Sequence, residues 1–383
     1  MKKYYVILTG SKNNAGDYLI KYRAKEILKS NRPDRDIIDI NGWEKFDNET
    51  LDLVNKSEAL ILMGGPALQK NMYPGIYPLV DDLSMIKTKI VLMGVGWKSL
   101  NGSWEDTVNY SFSDSTRSLL ERINDDCLSS VRDYHSLNAL HSNGFYNVLM
   151  TGCPATYVEA EMSNNLIREL ELSKVGFSLG VSFLESKEMK VQMQKSIISL
   201  RDYFCKSNPN SQFIVAFHHS TEKKFLDTHN STKSHLNGHL QFISWLEENN
   251  ISWKDISGSA ENLIEFYSEC DFHVGYRVHA HIFMSSINKP SILIAEDGRG
   301  KALPAVFGGL VLDAFTKVNN STLHKVIRRL KLSSGFKVTG LESNDLITSV
   351  HYEIENNWPR VRKVRSNIND NYEVMKSFLK ELP

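Results

Sequence analysis

The sequence predicts an α/β protein built from two doubly wound, Rossmann-like domains that face each other across a cleft. Three observations lead there. Short apolar runs recur along the chain with helical patterns between them, as expected of parallel strands joined by helical crossovers. Several of these runs end in glycine, which lets backbone approach a ligand at the carboxyl edge of an open sheet. The chain has 383 residues, more than one hydrophobic core ordinarily serves, so two domains are the default.

In the first half, strands are expected at Tyr5 to Thr9, Asp36 to Ile40, Ala59 to Met63, Ile90 to Met93, Leu128 to Val131 and Val148 to Met150. Gly10, Gly64-Gly65, Gly94 with Gly96, and Gly152 follow several of them. The stretch Glu159 to Ser173 is polar and helical without a strand, which places a boundary between a domain over 1–165 and one over 174–340. Strands of the second series are expected at Val175 to Val181, Phe213 to Phe217, Phe272 to Gly275, Ser291 to Ala295 and Leu310 to Leu312. Helices fall at about Met189 to Tyr203, Leu240 to Glu248 and Ala260 to Cys270. The tail over 341–383 reads as one or two amphipathic helices, with the option of packing back on the first domain.

Composition narrows the function classes. Lys plus Arg equals Asp plus Glu at 45 each, so no global field recruits nucleic acid or an acidic membrane. Cys127, Cys153, Cys205 and Cys270 lack the close pairing of a zinc or redox motif and read as buried thiols of a reducing compartment. The N-terminal apolar run is too short for a signal-peptide core. No stretch approaches the ~20 apolar residues of a membrane span. A cytoplasmic protein is expected, with any membrane contact peripheral and at the inner face.

Candidate chemistry collects at strand ends. In Gly275-Tyr276-Arg277-Val278-His279-Ala280-His281 a strand hands over to a helix, whose unpaired N–H groups together with Arg277 and His279 suit a phosphate or carboxylate. The plainer alternative makes His279 and His281 core or capping residues and pairs Arg277 with a surface acid. In Asn13-Asn14-Ala15-Gly16-Asp17, either Asn14 or Asp17 caps the next helix, or Asp17 accepts the proton of a substrate hydroxyl at the sheet edge. Gly64-Gly65-Pro66 and Gly94-Val95-Gly96-Trp97 lack the dinucleotide fingerprint, which disfavours nicotinamide and flavin chemistry. Val131-Arg132-Asp133 adds a cation at the same edge, and Gly152-Cys153-Pro154-Ala155 reads as a turn. His218-His219 has no carboxylate or cysteine at ligand spacing, so no metal is expected. Glu296-Asp297-Gly298-Arg299-Gly300-Lys301 carries two acids and two cations one crossover beyond Arg277.

Taken in order, Asn14-Ala15-Gly16-Asp17, Gly64-Gly65, Gly94-Val95-Gly96, Val131-Arg132-Asp133 with Ser136, Gly152-Cys153-Pro154-Ala155 and Arg277-Val278-His279 resemble the polysaccharide pyruvyl transferase family. The chain departs from it at Pro66, where the family often has a third glycine, and at Glu296 to Lys301, in place of a Tyr-Asp-Xaa-Lys-like loop. The resemblance implies a fold similar to the B-type glycosyltransferases. It also implies transfer of pyruvate from phosphoenolpyruvate to a sugar as a ketal, during synthesis of an exopolysaccharide or other cell-envelope glycan. It assigns catalysis to His279 and Asp17, donor binding to Arg277, Arg132 and Lys301, and acceptor or backbone contacts to Asn14, Gly16, Gly64, Gly65, Gly94 and Gly96. The expected partners are phosphoenolpyruvate and a glycan or lipid-linked sugar, with no cofactor.

The chemistry itself asks for such groups. Phosphoenolpyruvate bears a carboxylate and a phosphate, which the planar fork of arginine binds through paired hydrogen bonds. A protonated His279 is expected to donate to the methylene carbon, and a hydroxyl deprotonated by Asp17 attacks the oxocarbenium-like carbon that results. The rival readings are a sugar-nucleotide-dependent glycosyltransferase of the same fold, with Arg277 and Lys301 on a diphosphate, and a non-catalytic carbohydrate-binding protein.

Overall fold

Runs such as Ala-Leu-Ile-Leu-Met, with no polar side chain in five positions, suit strands covered on both faces. In the computed structural model, which describes residues 2–9, 14–164, 171–223, 233–318, 326–327, 336–338 and 343–383, that run is a fully buried central strand. The first sheet contains β1 (Tyr4–Thr9), β2 (Asp36–Asn41), β3 (Ala59–Met63) and β4 (Lys89–Met93) in the parallel order β2-β1-β3-β4. Next come β5 (Ser129–Val131) and β6 (Val148–Met150), a parallel pair. A bridge between Val95 and Val131 and a bond from Gly94 N to Ser130 O (3.1 Å) set this pair beside β4.

The second sheet is built from β7 (Lys174–Ser178), β8 (Gln212–Phe217), β9 (Ser252–Asp255), β10 (Phe272–Gly275), β11 (Ser291–Ala295) and β12 (Leu310–Asp313). Its order is β12-β11-β10-β7-β8-β9, parallel throughout. The strand order therefore reverses between β1 and β3 in one sheet and between β7 and β10 in the other. Open α/β sheets bind ligands at the carboxyl ends of such switch points. These are the ends that carry Asp17 and Arg277. The expected fold class holds.

Two elements of the second sheet differ from the sequence reading. β9 was not foreseen because Ser-Trp-Lys-Asp is a half-exposed edge strand without an apolar run. The strand expected to reach Val181 stops at Ser178, because the backbone N–H groups of Val181 and Ser182 turn to the carboxylate of Glu296 (3.0 Å each).

The helix Pro359–Glu381 touches both halves of the molecule. Asn367 and Asn371 donate to Phe307 O (3.0 Å) and Val306 O (2.9 Å), Arg365 to Ser285 O (2.9 Å), while Arg32 and Tyr5 donate to Leu379 O (3.3 Å) and Pro383 O (2.6 Å). The helix Ser343–Glu355 stays on the second half, against the helix Lys187–Ser207. One apolar cluster runs through the seam, joining Ala15, Leu19 and Ile20 to Ala280, Phe283 and Phe378.

Candidate active site

Asn14 resolves the choice of cap. Its side chain accepts from Gly16 N (3.1 Å) and it opens the helix Ala15–Asn31. Asp17 is thus not the cap. It is buried in the first turn, with its Oδ1 so placed that a Cβ on Gly65 would lie 2.8 Å away. Gly65 has φ +65°, so both its backbone and its missing side chain are required there. Gly64 and Gly94 let Ile20 and Pro154 pack closely, since a Cβ at either would meet those side chains. The turn Pro154–Thr156 is wedged beneath the seam, against both Ala15–Asn31 and the helix Val278–Ser286.

Arg132 follows β5 and is almost wholly buried. Asp133 caps the helix Tyr134–His141 by accepting from Ser136 N (2.7 Å) and Ser136 Oγ (2.8 Å), and its other oxygen accepts from Arg132 Nε (3.3 Å). Ser136 Oγ in turn accepts from Trp97 N (2.7 Å). A Cβ on Gly96 would overlap the guanidinium of Arg132. The Arg-Asp-x-x-Ser spacing is therefore a device that orients Arg132 through one nitrogen. Its Nη1 and Nη2 are buried without a hydrogen-bond partner among the described residues.

On the other side of the seam, Arg277 stands at the N-cap of Val278–Ser286 with no side-chain capping bond. Its Nε and the Nε2 of His279 are likewise buried and unpartnered among the described residues. The position of Arg277 is fixed through its backbone, which donates to Ser178 Oγ (2.9 Å). Ser178 Oγ is 2.8 Å from His273 Nε2, and Ser291 Oγ is 2.7 Å from both His273 Nδ1 and His281 Nδ1. The ends of β7, β10 and β11 are thus tied to the helix that carries His279. Burial holds His273 well below the usual histidine range and pushes His281 down to about 3, so both rings are neutral.

The imidazole of His279 lies against the first half of the molecule. A Cβ on Gly16 would be 2.5 Å from its Cγ and 2.8 Å from its Cε1. Burial first, then the positive charges of Arg132, Arg299 and Arg277, hold His279 well below its ordinary value, and Asp297 opposes them. Three guanidinium groups from both sheets therefore surround one neutral imidazole.

Arg299 was missed as a site residue. It lies in the loop Glu296–Lys301 and pairs with Asp297 Oδ2 through Nε (2.9 Å). Its charge and hydrogen bonds keep Asp297 ionised against burial. Glu296 is pushed upward by burial, with Arg277 opposing. Lys301 points elsewhere: its ammonium donates to Phe315 O (3.3 Å) and lies 4.7 Å from that ring's centroid. The signal for Arg299 was its Asp-Gly-Arg spacing, which lets Asp297 cap the turn at Arg299 N (2.9 Å) while gripping the same guanidinium. Among the described residues, no group of three His, Cys, Asp or Glu is arranged to hold a metal ion, and no helix is long and apolar enough to cross a membrane.

Two parallel sheets with facing switch points, and arginines converging on a histidine between them, define an α/β protein whose fold is like that of the B-type glycosyltransferases. The polysaccharide pyruvyl transferase family model matches residues 14–298, and the chain belongs to that family. No curated protein matches it. Similar solved structures include UDP-GlcNAc 2-epimerase from Neisseria meningitidis bound to UDP-GlcNAc, at 10% identity over 98% of this chain and 100% of that one, with a TM-score of 0.49. Another is the Methanocaldococcus jannaschii UDP-GlcNAc 2-epimerase in complex with UDP-GlcNAc and UDP (11%, 91% and 99%, TM-score 0.47). A third is the wall teichoic acid polymerase TagF (10%, 100% and 90%, TM-score 0.40).

Proposed function

We propose that this pyruvyl transferase takes phosphoenolpyruvate as donor and forms a pyruvate ketal on two hydroxyls of a glycan sugar. The observation that carries the reading is the set of buried, unpartnered nitrogens on Arg132, Arg277 and His279, gathered with Arg299 at one place. Buried guanidinium nitrogens left without a hydrogen-bond partner are costly, and a small ligand with a carboxylate and a phosphate offsets that cost.

In this reading the donor's negative charges do more than bind. His279 is neutral in the free protein, because burial and three arginines disfavour its cation. A polyanionic donor cancels that repulsion and lets His279 acquire a proton, which it delivers to the methylene carbon. Asp17, on the opposite wall, takes the proton of the attacking hydroxyl. A C–O bond forms at the second carbon, the C–O bond to phosphate breaks, and the neighbouring hydroxyl closes the ketal. Of the two hydroxyl protons, one ends in the new methyl group and the other leaves with phosphate. Fixed arginines stabilise charge without reorganisation as phosphate departs.

The test is acceptor-dependent phosphate release. Glycan-repeat precursors are offered with phosphoenolpyruvate or nucleotide sugars, and products are weighed by mass spectrometry. Release from phosphoenolpyruvate with a pyruvyl mass gain supports the reading. Sugar transfer from a nucleotide replaces it.

A further inference from the structure

An aromatic patch stands beside the arginine site. Past β4 the chain runs through Ser99 and Gly102 into the short helix Trp104–Val108. Ser99 O accepts from Gly298 N (2.9 Å), and a Cβ on Gly102 would lie 2.5 Å from Gly298 Cα. This loop therefore crosses the seam to the turn that carries Arg299. Just beyond Gly102, the Trp104 indole stacks on the imidazole of His135, with centroids 4.0 Å apart and planes at 22°. His135 belongs to the turn that follows Arg132. Trp104 thus stands between the segments that bring Arg132 and Arg299 to the site.

Trp104 is 51% exposed although His135 covers one face of its ring. The helix beneath it is pinned: Ser103 Oγ accepts from Asp106 N (3.1 Å), and the buried Thr107 accepts from Asn138 Nδ2 (2.6 Å). Val108, one turn on and on the same face, and Tyr134, next to His135, are exposed as well. Burial holds the His135 imidazole below its ordinary value, with the Asp133 charge opposing, so the indole rests on a neutral ring. An indole held open to water on a fixed support is a platform for an apolar face. The exposed carboxylates of Glu105 and Asp106 follow it in the chain and can only accept hydrogen bonds. A sugar ring matches this combination through its C–H face and its hydroxyl donors, whereas an anionic lipid surface does not.

We propose that Trp104 is a specificity-determining residue for the acceptor: a pyranose ring of the glycan lies with its C–H face on the open face of the indole, beside the donor held by the arginines. That the ring belongs to the acceptor rests on the pyruvyl-transfer reading. The ligand class rests on the patch itself.

The experiment is binding of the intact protein to a panel of hexose and N-acetylhexosamine oligosaccharides, read by saturation-transfer NMR and calorimetry, with a thermal shift in phosphoenolpyruvate run alongside. Wild type should bind members of the panel with saturation strongest at ring C–H protons. Trp104→Ala should bind them about tenfold more weakly, Trp104→Phe should keep most of the affinity, and the phosphoenolpyruvate shift should be the same in all three. Silence of the wild type on the whole panel, or wild-type affinity in Trp104→Ala, would overturn the proposal. So would joint loss of glycan binding and the phosphoenolpyruvate shift in Trp104→Ala, the signature of a mere prop for His135 and Arg132. A change of oligomeric state in Trp104→Ala on sedimentation would also overturn it, by making the patch a contact between copies. Trp104-dependent glycan binding without any phosphoenolpyruvate shift in the wild type would uphold the patch and sink the donor assignment instead.

Discussion

Gly16 and His279 pack against each other across the seam between the two sheets, so closely that a Cβ on Gly16 would stand 2.5 Å from the imidazole Cγ. One half of the chain therefore sets the position of the imidazole carried by the other. Gly16→Ala keeps a good helix former in the first turn but displaces that ring. Transfer should fall about 100-fold, the scale of a misplacement near 1 Å. Phosphate-release kinetics decide it: turnover near wild type would mean that His279 does not work from this position.

In the proposed reaction Arg132 offers the donor a guanidinium edge that no lysine reproduces. Arg132→Lys should weaken phosphoenolpyruvate binding about tenfold or more, and Gly96→Ala should do the same, because its Cβ would occupy the guanidinium's place. Arg299→Lys tests the residue that sequence reasoning passed over. Titration calorimetry reads all of them. Unchanged affinity in Arg132→Lys would reduce Arg132 to a structural partner of Asp133.

The buried histidines make stability depend on pH. His273 and His281 are neutral when folded, with values depressed below the unfolded one, so the unfolded chain binds more protons as pH falls. Their contribution is complete above about pH 6.5 and is lost below it, at about 1.4 kcal/mol per pH unit for each ring. Chemical denaturation between pH 5 and 8, run in steps of about one unit, should show stability rising with pH. His273→Asn should flatten the slope, and an unchanged slope in that variant would show that His273 does not titrate this way.

Ser178 is a positioning residue, acting through the Arg277 backbone at 2.9 Å. Ser178→Ala should raise the KM for phosphoenolpyruvate several-fold with a smaller change in kcat, and Ser178→Thr, which keeps the hydroxyl, should restore it. Equal loss in both variants would point to packing alone.

The strands and their ligand edge were legible because apolar runs ending in glycine, such as Ala59 to Gly65, state both the strand and its turn. The placement of Arg277 and His279 at a strand-to-helix junction was legible for the same reason, since they follow the run Phe272 to Gly275. What the sequence concealed were relationships across distance. That Gly16 makes room for His279, and Gly96 for Arg132, follows from how the halves dock, which no local pattern records. The sequence reading named Lys301 and passed over Arg299; the contact of Lys301 with Phe315 and the grip of Asp297 on Arg299, which distinguish their surroundings, appear only in the packing. The edge strand Ser252–Asp255 was hidden because half-exposed polar residues carry no strand signature.

The central claim is that phosphoenolpyruvate enters a cationic site and that its negative charge there draws a proton from solvent onto a histidine that is neutral in the free protein. Titration calorimetry of phosphoenolpyruvate at about pH 8, in buffers of different ionisation enthalpy, tests it directly, because the donor's phosphate, with a second pKa near ~6, is already fully ionised there. The account predicts net uptake of about one proton, affinity that weakens as pH rises, and loss of the uptake in His279→Gln with binding retained. Binding without proton uptake, or uptake that persists in His279→Gln, would contradict it.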